Sequence, residues 1–281
     1  MENVADHYNA RPNQGIAVRQ TSPIFRLRAF NNWIKAVQIG MHARPGMTVL
    51  DLACGKGGDL GKWDRARIQR YHGIDIAPVS IEHAQERLRD MRTSFEASFE
   101  SRDAFSQAFQ VDLACDLVSC QFALHYAFRD EQVLTQALSN VSGCLKAGGL
   151  FFGTIADGTQ IRKLEHLQNS VYSISFAKES WREEGGGFGV EYTFNLVDAI
   201  DNCAEYLSNR MILEAIAEAQ GLELLYYSSF RDFYMQHAPR NLPMLERMQV
   251  VENGQLMLSP DESQVAELYS AFCFRKVQSR K

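Results

Sequence analysis

Apolar residues follow two different patterns along the chain, short continuous runs and longer stretches with helical spacing. Continuous runs are typical of buried parallel strands, and a return of apolar residues every three or four positions is typical of amphipathic helices. The runs predict strands at 47–52, 71–76, 95–101, 115–122, 150–155, 222–229 and 269–276. The spaced stretches predict helices at 24–41, 80–91, 131–145, 160–167 and 211–220, with Ser80 as an N-cap and Gly221 as a C-cap.

Strands that alternate with helices predict a doubly wound α/β domain, built on a mostly parallel sheet of seven strands. The alternation is interrupted at about 157–210, where VYSISF and FGVEYTFNLV flank a Glu-Glu-Gly-Gly-Gly stretch and predict an inserted β-hairpin. Residues 1–23 are mostly polar and predict a flexible N-terminal arm. The expected organisation is therefore this arm, followed by one domain at 24–281 that carries a substrate-recognition insertion.

Composition narrows the class of protein. The 281 residues are 46% hydrophobic and 22% charged, which is ordinary for a soluble globular protein. We expect no membrane span, since no apolar run is long enough, and no secretory signal. The net charge of −5 argues against a protein that coats nucleic acid, but not against one that grips an RNA end in a local basic cleft. The six cysteines form no CxxC pair, so we expect reduced core residues rather than disulfides or a zinc site.

The strongest chemical signal is the segment VLDLACGKGGDL at 49–60. Gly55, Gly57 and Gly58 follow a predicted strand, where they let the backbone pass close to a bound molecule. Asp75 ends the next predicted strand, and a carboxylate there can accept hydrogen bonds from both hydroxyls of a ribose. The segment predicts a nucleoside site.

The kind of nucleoside is indicated by the charges around the loop. A dinucleotide fingerprint requires a third glycine where Leu60 stands. Asp51 and Asp59 would repel a pyrophosphate but attract the ammonium and sulfonium of S-adenosylmethionine. S-adenosylmethionine is therefore favoured over a dinucleotide, and a purely structural glycine turn remains open.

Two further segments follow predicted strand ends. Asp103 is placed to meet an adenine edge, or is a solvated loop residue. Residues 121–126, QFALHY, leave the fourth strand where ligands of open α/β sheets bind. Their His-Tyr pair either lines a substrate pocket or packs in the core.

Several motifs together resemble the messenger-RNA cap guanine-N7 methyltransferases of eukaryotes. They are FNNWIKA, DLACGKGGDL, HGIDIAPVSI, CQFALHYAF and the closing ELYSAFCFRK. The resemblance runs from about Arg26 to Lys276 and implies the Rossmann-like fold of class I methyltransferases. It also implies transfer of a methyl group from S-adenosylmethionine to N7 of the guanine cap of RNA.

The family's roles carry over to matching positions. The resemblance implies a cofactor site formed by Lys35, Asp51, Gly55, Asp75, Asp103 and Gln121. It implies a cap site formed by Asn31, Lys56, Asp59, Arg87, Phe122, His125, Tyr126, Glu205 and Tyr269. Within the cap site, Glu205, His125 and Tyr126 would be the catalytic residues, which act by electrostatics and positioning.

Three positions depart from the family. Ala53 replaces a glycine, with little expected consequence. Ala156 stands where members usually carry proline, and Phe105 stands where some carry tyrosine. These changes concern details of the pocket and leave the overall assignment intact.

Guanine N7 has a lone pair and no proton, so the reaction requires neither a general base nor a metal, and we expect no metal. The alternatives are a methyltransferase with another substrate, and an inactive methyltransferase-like subunit that binds RNA. Glu205 would then be a solvated carboxylate on a short helix.

The resemblance further implies capped RNA as partner, with RNA guanylyltransferase/triphosphatase and RNA polymerase II, and a location in the nucleus.

Overall fold

A computed structural model describes residues 2–9, 21–111, 114–182 and 187–277. In chain order the elements are α1 (Glu2–Asn9), α2 (Phe25–His42), β1 (Thr48–Leu52), α3 (Leu60–Arg65), β2 (Arg70–Asp75), α4 (Pro78–Asp90), β3 (Glu96–Ser101), β4 (Cys115–Gln121), α5 (Glu131–Cys144), β5 (Leu145–Ala156), α6 (Gly158–Arg162), β6 (Tyr172–Phe176), β7 (Glu191–Leu196), β8 (Ile200–Tyr206), α7 (Arg210–Ala219), β9 (Leu222–Ser229), α8 (Phe230–Arg247), β10 (Val251–Glu252), β11 (Gln255–Leu256), α9 (Pro260–Ala266) and β12 (Tyr269–Lys276). A short 3-10 helix, Leu124–Arg129, follows β4.

The central sheet has seven strands in the order β3-β2-β1-β4-β5-β12-β9. Strands β1 to β5 pair in parallel, and β12 is antiparallel to both of its neighbours. The predicted fold class, a doubly wound and mostly parallel α/β sheet, is confirmed. Strand order changes direction at β1, which lies between β2 and β4, and ligands of such sheets bind beyond the carboxyl ends of the strands at that point.

Successive residues of the central strands are buried on opposite faces of the sheet. Leu50 and Phe151 join one apolar cluster, while their neighbours Val49 and Phe152 join another. This alternation explains why β1 and β5 read as continuous apolar runs in the sequence. The stripe predicted for the first long helix is buried as well and includes Trp33 of α2.

A second, antiparallel sheet of β6, β7 and β8 lies within the predicted insertion. The sequence predicted only a hairpin, because β8 has a mostly polar pattern, with Asp201 and Asn202 exposed. Its pairing with β7 buries Cys203 and Glu205. Glu205 therefore lies on a strand and is 2% exposed, so the alternative of a solvated carboxylate on a short helix is wrong.

Other boundaries also differ from the sequence predictions. The segment predicted as a flexible arm contains α1, and residues 10–20 of that arm lie outside the described part of the chain. Helix α4 begins at Pro78 with Ala77 as its N-cap, so Ser80 is a buried first-turn residue rather than the cap. Helix α6 ends at Arg162, earlier than predicted. Elements α8, β10, β11 and α9 occupy a region to which the pattern assigned nothing.

Candidate active site

A cavity opens at the carboxyl ends of β1, β2 and β4. Its apolar lining includes Ile76, Ala104, Phe105 and Ala123, together with Val4 from α1. Six of the residues predicted to bind ligands line it: Gly55, Asp75, Asp103, Gln121, Phe122 and Tyr126. Val4 was not among the predicted site residues, because α1 itself was not predicted. A cavity with an apolar wall and a few convergent polar groups is suited to a nucleoside.

Asp75 ties the glycine loop to the end of β2. Its Oδ2 accepts a hydrogen bond from the backbone N–H of Gly55 at 2.8 Å, and its Oδ1 accepts one from Ala77 at 2.9 Å. Burial raises the pKa of this carboxyl, against the effect of the two backbone donors. Each carboxylate oxygen has a second lone pair, so Asp75 retains acceptor capacity toward the cavity that it lines.

The loop between β1 and α3 requires left-handed backbone at several positions. Gly57 has φ +67°, and a Cβ there would lie 2.7 Å from Leu60 Cδ1 and 3.2 Å from Ala84 Cβ. Glycine at 57 therefore lets the loop pack closely against α4. Ala53, at the position of the family's glycine, has φ +54°. This conformation is unfavourable for alanine, so the departure has a backbone cost that the sequence did not indicate.

Asp51 lies beneath this loop, 3% exposed. Its Oδ2 accepts a hydrogen bond from the Tyr71 hydroxyl at 2.9 Å. Burial raises the pKa of Asp51 to about 7, and the nearby Asp59 carboxylate contributes to the increase. Asp51 is thus a buried carboxyl whose ionisation is costly in the absence of a cationic ligand.

Asp59 joins two lysines in a buried ionic cluster. Its Oδ2 lies 2.9 Å from Lys35 Nζ, and its Oδ1 lies 2.5 Å from Lys62 Nζ. Burial opposes ionisation of Asp59, but Lys35 and Lys62 lower its pKa to about 2. The structure thereby brings together Lys35, predicted on the cofactor side, and Asp59, predicted on the cap side. Lys62 was missed, although its spacing from Asp59 on α3 is a recognisable i,i+3 pair.

The loop after β3 forms one wall of the cavity. Asp103 Oδ1 accepts hydrogen bonds from the N–H groups of Phe105 and Ser106, both at 3.0 Å. Asp103 therefore shapes its own loop in addition to lining the cavity. On the opposite wall, Gln121 accepts a hydrogen bond from the Thr154 hydroxyl at 3.2 Å.

A second group of predicted residues surrounds Glu205. Tyr192 donates its hydroxyl to Glu205 Oε2 at 2.7 Å, and Tyr126 donates to Oε1 at 3.5 Å. His125 Nε2 lies 3.5 Å from Glu205 Oε2 without hydrogen-bond alignment, and neither ring nitrogen of His125 has a hydrogen-bond partner among the described residues. The predicted His-Tyr pair therefore faces a carboxylate. Tyr192 was missed, because only the β7–β8 register places it opposite Glu205.

Three aromatic rings pack together at the start of β12. Phe122, with φ +59°, packs edge-on against Tyr269 with ring centroids 5.0 Å apart. Phe230 of α8 contacts both rings and was not predicted. Ala156 is the strand partner of Tyr269 in the register of β5 and β12.

Three predicted cap residues lie outside these contacts. Asn31 lies on α2 one turn before Lys35, and its side-chain oxygen is buried with no hydrogen-bond partner within the described residues. Lys56 follows Gly55 in the glycine loop, and Arg87 lies in the last turn of α4. Neither Lys56 nor Arg87 lines the cavity described above.

Within the described ranges, we find no group of three or more His, Cys, Asp or Glu side chains that could hold a metal ion. None of the helices in those ranges is long and apolar enough to cross a membrane. None of the six cysteines, all of which lie in the described ranges, forms a disulfide.

Comparison with known proteins places the chain in a sequence family. Residues 1–277 match the family described as mRNA (guanine-N(7))-methyltransferase domain. The chain is 40% identical over 301 residues to mRNA cap guanine-N(7) methyltransferase 1 of Arabidopsis thaliana, which covers 97% of this chain and 80% of that protein. It is 39% identical over 295 residues to the mRNA cap guanine-N(7) methyltransferase of Schizosaccharomyces pombe. That match covers 97% of this chain and 81% of the relative.

Solved structures with low sequence identity share the fold. An S-adenosylmethionine-dependent methyltransferase from Clostridium acetobutylicum has a TM-score of 0.55 at 12% identity, over 90% of this chain and 92% of that one. The CcbJ methyltransferase of Streptomyces caelestis has a TM-score of 0.56 at 11% identity, over 98% of this chain and 96% of that one. These likenesses support the methyltransferase fold that the sequence predicted.

Proposed function

This chain belongs to the mRNA (guanine-N(7))-methyltransferase family, and we propose that it transfers the methyl group of S-adenosylmethionine to N7 of the guanine cap of GpppN-ended RNA. The observation that carries the proposal is the position of Tyr126. Its side chain lines the nucleoside cavity, and its hydroxyl lies 3.5 Å from Glu205. One residue thus lies between the nucleoside cavity and a buried carboxylate that could accept hydrogen bonds from a guanine edge.

The residues of the cavity fit S-adenosylmethionine. Asp75 would accept hydrogen bonds from the ribose hydroxyls with the lone pairs that Gly55 and Ala77 leave unused. The apolar side chains of Ile76, Ala104 and Phe105 would cover the adenine. Asp103 and Gln121 supply polar groups at opposite walls of the cavity.

The charged end of the cofactor would lie toward Asp51 and Lys35. Lys35 would hold the methionine carboxylate, and Asp59 keeps the Lys35 ammonium in place by an ion pair. Because Asp51 is buried and costly to ionise alone, an ammonium or sulfonium nearby would favour its charged form.

When bound, S-adenosylmethionine supplies a methyl group that is electrophilic because it is attached to a sulfonium. The chain has no proton to remove from guanine N7, so its task is to position the base and to stabilise charge. Glu205 would accept hydrogen bonds from guanine N1–H and N2–H, which adenine cannot offer. The Tyr192 hydroxyl at 2.7 Å fixes the orientation of this carboxylate.

As N7 accepts the methyl group, positive charge develops on the guanine ring beside Glu205. The attraction between ring and carboxylate therefore grows toward the transition state, which is the condition for electrostatic catalysis. Phe122 and Tyr269 would pack against the base. Asn31 would face the guanosine ribose, and Lys56, Asp59 and Arg87 would line the path of the triphosphate.

Methyl transfer from labelled S-adenosylmethionine to GpppA, compared with unblocked pppA, tests the proposal. We expect label at guanine N7 of GpppA and none on pppA. Label on pppA would favour a methyltransferase of another substrate. Binding of S-adenosylhomocysteine without any transfer would favour the inactive RNA-binding subunit.

We further propose that the enzyme acts in the nucleus, beside RNA guanylyltransferase/triphosphatase and RNA polymerase II. The chemistry supports the first partner, because a GpppN end arises by guanylyl transfer to an RNA end. Co-precipitation with each partner, together with the distribution of a fluorescent fusion, tests these assignments. A fusion excluded from the nucleus would contradict them.

A further inference from the structure

Asn140 is a buried side chain on α5 whose hydrogen bonds all reach either its own helix or the loop at 103–109, part of which lines the cavity. Its Nδ2 donates to the carbonyl of Ala104 at 3.0 Å and to that of Gln107 at 2.8 Å. Its Oδ1 accepts from Gln136 Nε2 at 2.9 Å and, more weakly, from the N–H of Phe109 at 3.4 Å. Asn140 is 4% exposed, so water does not substitute for these bonds.

The bonded segment is the loop that follows β3 and has no regular secondary structure of its own. Ala104 and Phe105 line the cavity, and the Ala104 carbonyl accepts a hydrogen bond from Asn140 of helix α5. Asp103 stabilises the turn in the same loop by accepting hydrogen bonds from the N–H groups of Phe105 and Ser106. The position of the wall thus depends on one amide in the core as well as on the loop's own turn.

We propose that Asn140 is a positioning residue for the cofactor, which sets the affinity for its adenosine part by holding the 103–109 loop in place. This inference rests on the proposed function, since it takes the cavity to be the adenosine site. Asn140 does not line the cavity. Its effect is exerted through the wall formed by Ala104 and Phe105.

The substitution Asn140→Asp isolates the two donated bonds. Aspartate has the shape of asparagine, but its carboxylate presents only acceptors to the carbonyls of Ala104 and Gln107. Both carbonyls would lose their partner inside the protein, and the loop would shift to satisfy them. We expect the affinity for adenosine-containing ligands to fall about tenfold.

A matched control exists at Asn169, which performs the same task at a different loop. Its Oδ1 accepts from the N–H groups of Val171 and Tyr172, and its Nδ2 donates to the Asp261 carbonyl and to Gln264. Asn169→Asp therefore makes the same chemical change beside β6 and α9. We expect it to affect stability but to leave ligand affinity within about twofold of the parent.

Calorimetry with S-adenosylhomocysteine and with 5′-methylthioadenosine, which lacks the amino-acid part, provides the readout. We expect Asn140→Asp to weaken both ligands by the same factor and to leave the KM for GpppA unchanged. Unaltered binding of both ligands, or a loss confined to S-adenosylhomocysteine, would overturn the inference. A parent protein that fails to bind S-adenosylhomocysteine would instead overturn the proposed function.

A milder variant keeps the inference testable if Asn140→Asp does not fold. Gln136→Leu removes the stronger of the two donors to Asn140 Oδ1 and leaves the bonds that Asn140 donates to the loop in place. We expect a loss of about two- to threefold in affinity for both ligands, because Asn140 is then less firmly oriented. Parent-like affinity for both ligands in this folded variant would contradict the positioning role.

Discussion

The four candidate carboxylates of the site differ in the groups that surround them. Asp59 is neutralised by two lysines, Asp75 accepts two backbone N–H groups, and Asp51 has the Tyr71 hydroxyl and no ion pair among the described residues. Glu205 is buried and accepts hydrogen bonds from the hydroxyls of Tyr192 and Tyr126. The sequence predicted these four residues as candidates, but it could not show which partner each one has.

The raised pKa of Asp51 predicts a pH-dependent effect of Asp51→Asn on stability. The folded pKa is about 7 and the unfolded value is 3.8, so between these pH values the folded state holds more protons. The contribution of Asp51 to stability therefore falls as pH rises through this window, whereas asparagine does not titrate. In the absence of ligand, the free energy of unfolding of the variant should exceed that of the parent by about 3 kcal/mol more at pH 8 than at pH 4.5, which corresponds to several °C in Tm.

Thermal melts of both proteins at the two pH values measure this difference. Asparagine retains an acceptor for the Tyr71 hydroxyl, so the packing is preserved. A Tm difference that is the same at both pH values would show that Asp51 ionisation is not the cause.

Glu205→Gln should lower turnover by about 100-fold, the scale of losing one preorganised electrostatic partner. Glutamine keeps the size of the side chain and an acceptor for the Tyr192 hydroxyl, but it removes the charge next to the guanine. The affinity for S-adenosylhomocysteine should stay within about twofold of the parent, since Glu205 does not line the cofactor cavity.

The exposed Glu191 of the same small sheet is a suitable control for this measurement. Glu191→Gln makes the same chemical change at the surface and should leave turnover close to that of the parent. If Glu205→Gln behaves in the same way, the guanine pocket lies elsewhere.

Ala53→Gly should stabilise the protein by up to about 1 kcal/mol. Left-handed backbone costs alanine about 1–2 kcal/mol relative to glycine, and the greater freedom of glycine in the unfolded chain returns about half of that. Urea denaturation compares it with Ala66→Gly, at φ −75°, where glycine should destabilise. A loss of stability in both variants would mean that the φ of Ala53 carries no strain.

At the scale of elements, helix α2 receives its N-terminal cap from the other end of the chain. Ile24 provides no side-chain cap, but Glu262 Oε1 accepts a hydrogen bond from Leu27 N–H at 2.9 Å. The same carboxylate completes the capping box of α9 with Ser259. One buried side chain thus serves the first turns of two helices, and α2 carries Asn31 and Lys35.

Glu262→Ala should therefore reduce both stability and ligand affinity. Loss of two caps predicts destabilisation by about 2 kcal/mol, and a loosened α2 predicts weaker binding of S-adenosylhomocysteine through Lys35. Ser259→Ala removes the capping box of α9 while the bond to Leu27 remains, so it should cost about 1 kcal/mol with binding unchanged. Urea denaturation and calorimetry on the two variants separate these effects, and equal ligand affinities would refute the link to α2.

Elements whose burial follows from their own pattern were predictable, and the others were not. Strands β1 and β5 are buried on both faces, and a continuous apolar run records that fact in the sequence. Helix α8 contains Pro239 and Pro243 and has non-helical backbone at Asn241, so its apolar period is broken. The burial of strand β8 depends on its pairing with β7, and the residues of β8 alone do not indicate that pairing.

At the scale of the whole molecule, a protein of net charge −5 has to bind a polyanionic RNA end. Attraction must then come from local cations, and Lys56 and Arg87 are the predicted ones. The double variant Lys56→Ala, Arg87→Ala should raise the KM for GpppA and flatten its dependence on salt, with binding of S-adenosylhomocysteine unchanged. Steady-state kinetics over a range of salt concentrations test this, and a shift in cofactor affinity alone would place both residues on the cofactor side.

The position of β12 has a consequence for the order in which the protein can fold during synthesis. Residues 269–276 form the strand that lies between β5 and β9, so those two strands have no common neighbour until this segment has left the ribosome. The hydrogen bond that caps the N-terminus of helix α2 also forms late, because its acceptor is Glu262. A nascent chain stalled before that point contains the glycine loop. It lacks both the complete seven-stranded sheet and the hydrogen bond that stabilises the first turn of α2. The methyltransferase site therefore becomes complete only when nearly all of these residues have been translated.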